Sequence, residues 1–313
     1  MVIKNFAQLD EMARSGSRRM TVGVINGQDE NALQALQLAD GLVDAVLFGD
    51  PALIGAELDK LGIARSRYQI VPAAPDGNPV AAAARLVHSG EIDMLMKGKI
   101  STGDLFKGIF SHEADLKSGQ RMSHLVFKEI PGSRKLISIT DGALTPVPTC
   151  EEKAQILRNA LDFLHGVGYE CPNVAALCAV EKVSPKMQET IDAAELKQAW
   201  ERGEFPGCNF EGPISYDIAV SPHAAELKGF VCPWSGDFDL FLVPSVVVGN
   251  ILGKCLVYTA HAKMGSIVLG CRVPVIMGSR GAGSDDKYNS IALGVVYANL
   301  RQAANAQPGG SAV

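Results

Sequence analysis

Short runs of apolar and β-branched residues recur along this 313-residue chain, each separated from the next by a stretch with helical spacing. The clearest are 21-TVGVI-25, 43-VDAVLFG-49, 92-IDMLMKG-98, 136-LISIT-140, 174-VAALCAV-180, 239-DLFLVP-244 and 273-VPVIMG-278. Such alternation confines the chain to an α/β fold with a mostly parallel sheet, because parallel neighbours need a crossover and a helix supplies it. Runs apolar on both faces suit strands covered by helices on either side, whereas a sheet with one wet face alternates apolar and polar residues. The segment 151-EEKAQILRNALDFLHG-166 sets Ile156, Leu157, Ala160, Leu161 and Leu164 on one helical face, and Thr149 with Glu152 has the spacing of a capping box. A short amphipathic helix is expected in the first sixteen residues, MVIKNFAQLDEMARSG.

At roughly 100–200 residues per domain, the length accommodates two. The stretch 145-TPVPT-149 carries two prolines and cannot be regular helix or central strand, which sets the first division there. The last strand and helix read as completing the first domain's sheet, so the chain is expected to cross back around residues 265–273. The expected domains are residues 1–146 plus 272–313 and residues 147–271. The tail 307-QPGGSAV-313 is expected to fray.

A composition of 47% hydrophobic and 20% charged residues excludes a disordered chain, and a net charge of −5 provides no general attraction for nucleic acid or an anionic membrane. A phosphate-bearing ligand therefore needs a local cationic site. No stretch approaches the ~18 apolar residues of a membrane span, and cytoplasmic residence is the expectation. The seven cysteines, 150, 171, 178, 208, 232, 255 and 271, form no zinc-type spacing and are expected to be buried structural thiols. The six histidines form no metal spacing either, and GxGxxG, GxSxG, HExxH and Walker A patterns are absent. His124 is the one histidine considered for a site, with a core or surface role favoured.

In open parallel sheets, ligands bind beyond the carboxyl ends of strands. Four segments there hold unusual chemistry. In 96-MKGKISTGDLFKG-108, a strand leads through Lys97, Gly98 and Lys99 into a helix opening at Ser101 or Thr102, a plausible phosphate cradle or an ordinary capped helix with solvated lysines. In 136-LISITDGALTP-146, Thr140 and Asp141 follow a strand directly; Asp141 can orient a ligand hydroxyl, hold a neighbouring loop or simply form a turn. In 242-LVPSVVVGNILGKCL-256, a strand is expected to pass through a Gly-Asn turn into a helix, with Asn250 and Lys254 one turn apart on one face. The last, 273-VPVIMGSRGAGSDDKYNSIALGVVYANL-300, combines a hydroxyl at Ser279, a planar phosphate-binding fork at Arg280 and a carboxylate at Asp285 or Asp286 in one strand-to-helix turn. A helix with Ile291, Ala292, Val295 and Val296 inward is expected to follow.

These segments, with 123-SHLVF-127, 174-VAALCAVEKVSPKMQET-190 and 211-EGPISYDIAVS-221, occur together and in order across about residues 20–300, and the chain resembles the phosphate acetyltransferase/phosphate butyryltransferase family, more closely its butyryltransferase branch. The resemblance implies two α/β domains of isocitrate/isopropylmalate dehydrogenase-like type with an interdomain cleft, commonly in a homodimer. It also implies reversible transfer of a short-chain acyl group between coenzyme A and inorganic phosphate, with acyl-CoA, phosphate and acyl phosphate as partners and coenzyme A as substrate. No tightly bound cofactor and no metal are expected. By the same resemblance Ser279 and Arg280 carry the reaction with Asp286 as general base, Asp285 being the alternative. Lys107 takes the place of an arginine that the acetyltransferases hold near the start of the early helix, and Ser123 is the motif serine of its segment. The expected substrate-binding set is Lys99, Ser101, Thr102, Lys107, Ser123, Asp141, Asn250, Lys254 and Asp285. The alternatives are an acyl-phosphate enzyme using acyl carrier protein, a dehydrogenase on the same scaffold, and a silent acyl-CoA-binding homologue.

Overall fold

The computed structural model describes residues 2–16, 18–74, 77–278 and 281–305, the last six of these by backbone alone. In it the strands are β1 (Met20–Ile25), β2 (Val43–Gly49), β3 (Gln69–Pro72), β4 (Met94–Lys97), β5 (Ser123–Glu129), β6 (Ile137–Thr140), β7 (Asn173–Leu177), β8 (Asn209–Ile214), β9 (Leu240–Leu242), β10 (Lys263–Leu269) and β11 (Val275–Ile276). Helices fall between most of them, as the α/β pattern requires. The chain divides into a central unit, Met1–Phe6 with Arg121–Met264, and a flanking unit, Ala7–Gln120 with Gly265–Val313.

In the flanking unit the strand order is β3-β2-β1-β4-β11-β10, parallel except for the antiparallel pair β10 and β11. Strand β1 is buried at all but one position, and the closing helix, Ser284–Asn305, buries Ile291, Ala292, Val295 and Val296 as its spacing predicts. In the central unit the order is β5-β6-β9-β7-β8, again parallel but for β5 and β6. The helix Cys150–Gly166 buries Ile156, Leu157, Ala160, Leu161 and Leu164 there. Its capping box is formed: the Thr149 amide donates to the Glu152 carboxylate at 2.8 Å, and the Glu152 amide donates to Thr149 Oγ1 at 3.2 Å.

Two features differ from the sequence reading. Strand β6, expected in the first domain, pairs with β9, Ser138 opposite Leu240, and this draws residues 121–146 and both prolines into the central unit. The return comes at Gly265, because β10 pairs with β11 through Ile267 and Val268. The expected Gly-Asn turn is instead helical. The helix Val246–Tyr258 starts after its N-cap Ser245, and Gly249 and Asn250 lie inside it. Gly249 is there for packing: a Cβ would sit 2.8 Å from Gly142 Cα, 2.9 Å from Val243 Cγ2 and 3.1 Å from the Asp141 carbonyl oxygen.

Gly249→Ala should therefore destabilise the protein by about 1–3 kcal/mol through overpacking, despite alanine's better helix propensity. Urea unfolding would measure it, with the exposed neighbour Asn250→Ala changing stability by no more than about 0.5 kcal/mol.

Candidate functional site

Strand β1 has β2 on one side and β4 on the other, so the order reverses there. Loops leaving the two strand ends diverge at such a point and leave a crevice beyond the carboxyl termini. In this protein the crevice is a cavity of about 520 Å³, lined by Gln28, Asp29, Glu30 and Asn31 after β1, by Lys97 at the end of β4 and Gly98, Lys99, Ile100 and Ser101 after it, and by Glu57, Lys60 and Lys287.

Ladder pairing continues past the strand ends: the Gly98 amide donates to the Ile25 carbonyl at 2.9 Å and the Lys99 amide to the Asn26 carbonyl at 2.8 Å. A Cβ on Gly98 would lie 2.3 Å from the Asn26 carbonyl oxygen, so only glycine allows this approach. The turn buries Lys97 on the cavity wall and leaves Lys99 exposed. Ser101 caps the helix Thr102–Phe110, accepting from the Asp104 amide at 3.0 Å and donating its own proton to the Asp104 carboxylate at 2.6 Å. Thr102, the first helical residue, is exposed. Lys107 is exposed in the last turn of that nine-residue helix, rather than near its start, and does not line the cavity. An ammonium there complements the helix C-terminus.

Strand β11 lies beside β4, Val275 opposite Leu95 and Ile276 opposite Met96, so the two strands end together. Ser279 and Arg280 lie outside the described residues. Asp285 and Asp286 stand in the first turn of the closing helix, exposed and half-buried respectively. The next residue, Lys287, is buried and pairs with Asp29 at 2.8 Å. Asp29 also caps the helix Glu30–Leu38 through the Ala32 amide. On the rim, Lys60 pairs with Glu30 at 2.6 Å and Glu57 at 3.0 Å. Gln28, Asp29 and Lys287 were absent from the sequence-derived set. The signal for the first two was available, since 26-NGQDE-30 follows a strand just as the four chosen segments do, but Lys287 is brought in only by the turn of the closing helix.

The remaining residues of the set belong to the central unit. Ser123 is 1% exposed, and its oxygen accepts from the Asn159 side-chain amide at 2.9 Å. Asp141, 2% exposed, accepts from the amides of Ala143, Leu144 and Thr145 at 2.9–3.1 Å, so its carboxylate holds the following loop. Asn250 and Lys254 are exposed one turn apart on the helix Val246–Tyr258. His124 is buried on β5, and its Nδ1 has no hydrogen-bond partner among the described residues. Burial lowers its pKa to about 4, with Asp141 opposing and Lys128 reinforcing the shift.

Of the cysteines, Cys208 and Cys271 are buried, whereas Cys171 and Cys255 are exposed, against the expectation of buried thiols throughout. Burial pushes the thiols of Cys150, Cys178, Cys208 and Cys271 up to about 12, which keeps these four protonated and poorly nucleophilic near neutrality.

The model of the phosphate acetyl/butaryl transferase family matches residues 73–295. A phosphate butyryltransferase of Clostridium acetobutylicum is 36% identical, over 95% of this chain and 99% of its own. A phosphate acetyltransferase of Thermotoga maritima is 35% identical, over 93% and 99%. Among solved structures, a branched-chain phosphotransacylase from Enterococcus faecalis superposes with a TM-score of 0.77 at 28% identity, covering 89% of this chain and 99% of that one. A 4-hydroxythreonine-4-phosphate dehydrogenase from Klebsiella pneumoniae, 13% identical with a TM-score of 0.56 over 90% of this chain and 100% of that one, shares the fold alone. The fold is thus dehydrogenase-like, as expected.

The buried His124 generates a pH prediction. Its folded pKa of about 4 lies below the ordinary value of 6.5, so the unfolded chain binds the proton more readily. The stability contribution is complete above pH 6.5 and is lost progressively as pH falls toward about 4. Urea unfolding at pH 7.5 and pH 5 should show wild type losing more stability than His124→Gln; equal losses would mean that His124 does not titrate in this window.

Proposed function

The chain belongs to the phosphate acetyl/butaryl transferase family, and on that premise we propose that it catalyses reversible transfer of a short-chain acyl group between coenzyme A and inorganic phosphate. The observation that carries the reading is the shared ending of β4 and β11, which puts the segment 97–101 and Lys287, the residue next to Asp286, on the walls of one cavity. An amide-rich turn, a capped helix N-terminus and lysines at a topological switch point are the features that phosphate recognition uses. The dehydrogenase alternative rests on fold alone, and fold does not fix chemistry.

In the direction of acyl-CoA synthesis, Asp286 accepts the proton of the coenzyme A thiol, whose free pKa is ~8.5. The thiolate attacks the carbonyl carbon of the acyl phosphate; the carbon–sulfur bond forms, the bond from that carbon to the phosphate oxygen breaks, and inorganic phosphate leaves carrying the proton, which returns Asp286 to its carboxylate form. Ser279 donates to the developing oxyanion or orients the sulfur, and Arg280 holds the phosphate through its planar fork. Lys99, Ser101 and Thr102 belong to the phosphate side of this reading. The reaction passes through a ternary complex, without a covalent acyl-enzyme. Coenzyme A enters and leaves as substrate, and the enzyme works in the cytoplasm. Val247, Ile251 and Tyr258, each at least 60% exposed on one face of the helix Val246–Tyr258 beside Lys254, support a homodimer.

The reading requires that thiol release from acetyl-, propionyl- and butyryl-CoA depend on added phosphate. A graded preference for the three- to five-carbon acyl groups is expected, each methylene being worth about 1–3 kcal/mol in an apolar pocket. Phosphate-independent release, or none, would refute the activity, and a maximum of kcat/KM at acetyl-CoA would refute the preference. Asp286→Asn should lower kcat about 10²–10⁴-fold with coenzyme A affinity nearly unchanged. A large loss in Asp285→Asn instead would move the base by one residue.

A further inference from the structure

We infer that Lys287 is a positioning residue, which ties the first turn of the closing helix to Gly278 and to the helix after β1, and so fixes where the Asp286 carboxylate points. The inference rests on the proposed role of that turn. Three observations carry it. The Lys287 ammonium, 6% exposed, donates to Asp29 Oδ1 at 2.8 Å, and the same oxygen accepts from the Ala32 amide. Asp29 is thus fixed by the helix it caps, and Lys287 by Asp29.

The stem of Lys287 crosses the residue that opens the turn. A Cβ built on Gly278 would lie 3.4 Å from Lys287 Cγ, 3.7 Å from Lys287 Cε and 3.4 Å from Ala282 Cβ, ordinary packing distances, so the lysine stem runs past Gly278 within van der Waals reach. One side chain therefore touches the entry of the turn and stands at its exit.

A second brace joins the same two ends from the interior. The Ser266 hydroxyl donates to the Met277 carbonyl, the Ser266 amide donates to Ser290 Oγ at 2.9 Å, and the Ser290 hydroxyl donates to the Asp286 carbonyl at 2.8 Å. Both serines are at most 1% exposed. The backbone at Asp286 is thereby held to the backbone at Met277. The serine chain links Met277 to Asp286 through hydrogen bonds, and the Lys287–Asp29 pair links the next residue to the helix after β1. The Lys287 ammonium is buried whereas Asp29 keeps 20% of its side-chain surface exposed, so the pair meets the cost of burying the ammonium from one side only.

The test compares Lys287→Met and the neutral pair Asp29→Asn/Lys287→Met, each with Asp286 intact and with Asp286→Asn. The neutral pair leaves no unpaired buried charge, and Asn at position 29 still caps its helix. With thermal unfolding showing folded protein, Lys287→Met and the neutral pair should lower kcat roughly tenfold to a hundredfold, as slight misplacement of a reacting group does, with KM for coenzyme A and phosphate little changed. On the Asp286→Asn background the same substitutions should cost almost nothing further.

Full kcat in the folded neutral pair would overturn the proposal. So would a rise confined to KM for phosphate, which would make Lys287 a ligand contact, or an equal loss on both backgrounds, which would indicate general distortion. Asp286→Asn alone retaining full kcat would defeat the underlying reading of the turn, whereas a normal loss in Asp286→Asn with no effect of Lys287→Met defeats only the positioning role.

Discussion

The approach of two backbones at Gly98 is the constraint on which the candidate site depends. Strands β1 and β4 continue their pairing beyond the sheet, through Gly98 to Ile25 and Lys99 to Asn26, and a Cβ at residue 98 would stand 2.3 Å from a carbonyl oxygen. With the turn drawn in this far, the next residues are committed. Lys97 faces the cavity from inside the sheet, Lys99 is carried out to solvent, and Ser101 arrives where it caps a helix beginning at Thr102. Strand β11 inherits the geometry because it pairs with β4, Val275 opposite Leu95 and Ile276 opposite Met96, and Gly278 therefore emerges level with Gly98.

The charges in this region follow from the same geometry. Four lysines line the cavity with three acids, in a chain whose net charge is −5. The excess is local, which is what an acidic protein needs in order to admit a phosphate-bearing ligand. Burying an ammonium is costly unless it is paired, and Lys287 meets that requirement with Asp29. Lys60, more than half exposed, is held on the rim by Glu30 and Glu57, where solvent screening leaves each contact worth little.

The strands were legible wherever they were apolar on both faces, as in 43-VDAVLFG-49 and 174-VAALCAV-180. Strands β3, β5, β8 and β10 were not. Strand β5 carries Ser123, His124 and Lys128, β8 carries Glu211, Gly212 and Pro213, and β10 opens on Lys263, so their burial comes from tertiary neighbours that no local pattern reports. The capping box at Thr149 was legible because both partners are local. The glycine at 249 was misread for the opposite reason: its cause is a loop more than a hundred residues away. In the site, residues directly after strands could be found by position, whereas Lys287 needed the rotation of the closing helix and the location of Asp29.

The same distinction separates framework from chemistry among the residues chosen by resemblance. A buried polar group that spends its hydrogen-bonding capacity on the protein has a structural role, whatever segment it belongs to. Asp141 accepts three backbone amides, and the Ser123 oxygen is occupied by Asn159. Losing either partner would leave a buried group unsatisfied, at a cost of about 1–3 kcal/mol, so their presence in the chain is accounted for without a ligand. Lys99, Thr102 and Asp285 are exposed in the flanking unit, as Asn250 and Lys254 are in the central one, and no comparable folding cost holds them in place. The sequence segments that carry the family likeness are therefore of two kinds. Some shape the backbone, as Gly98, Asp141 and Gly249 do, and others stand exposed on the loop after β4 or on the helices with groups left to offer.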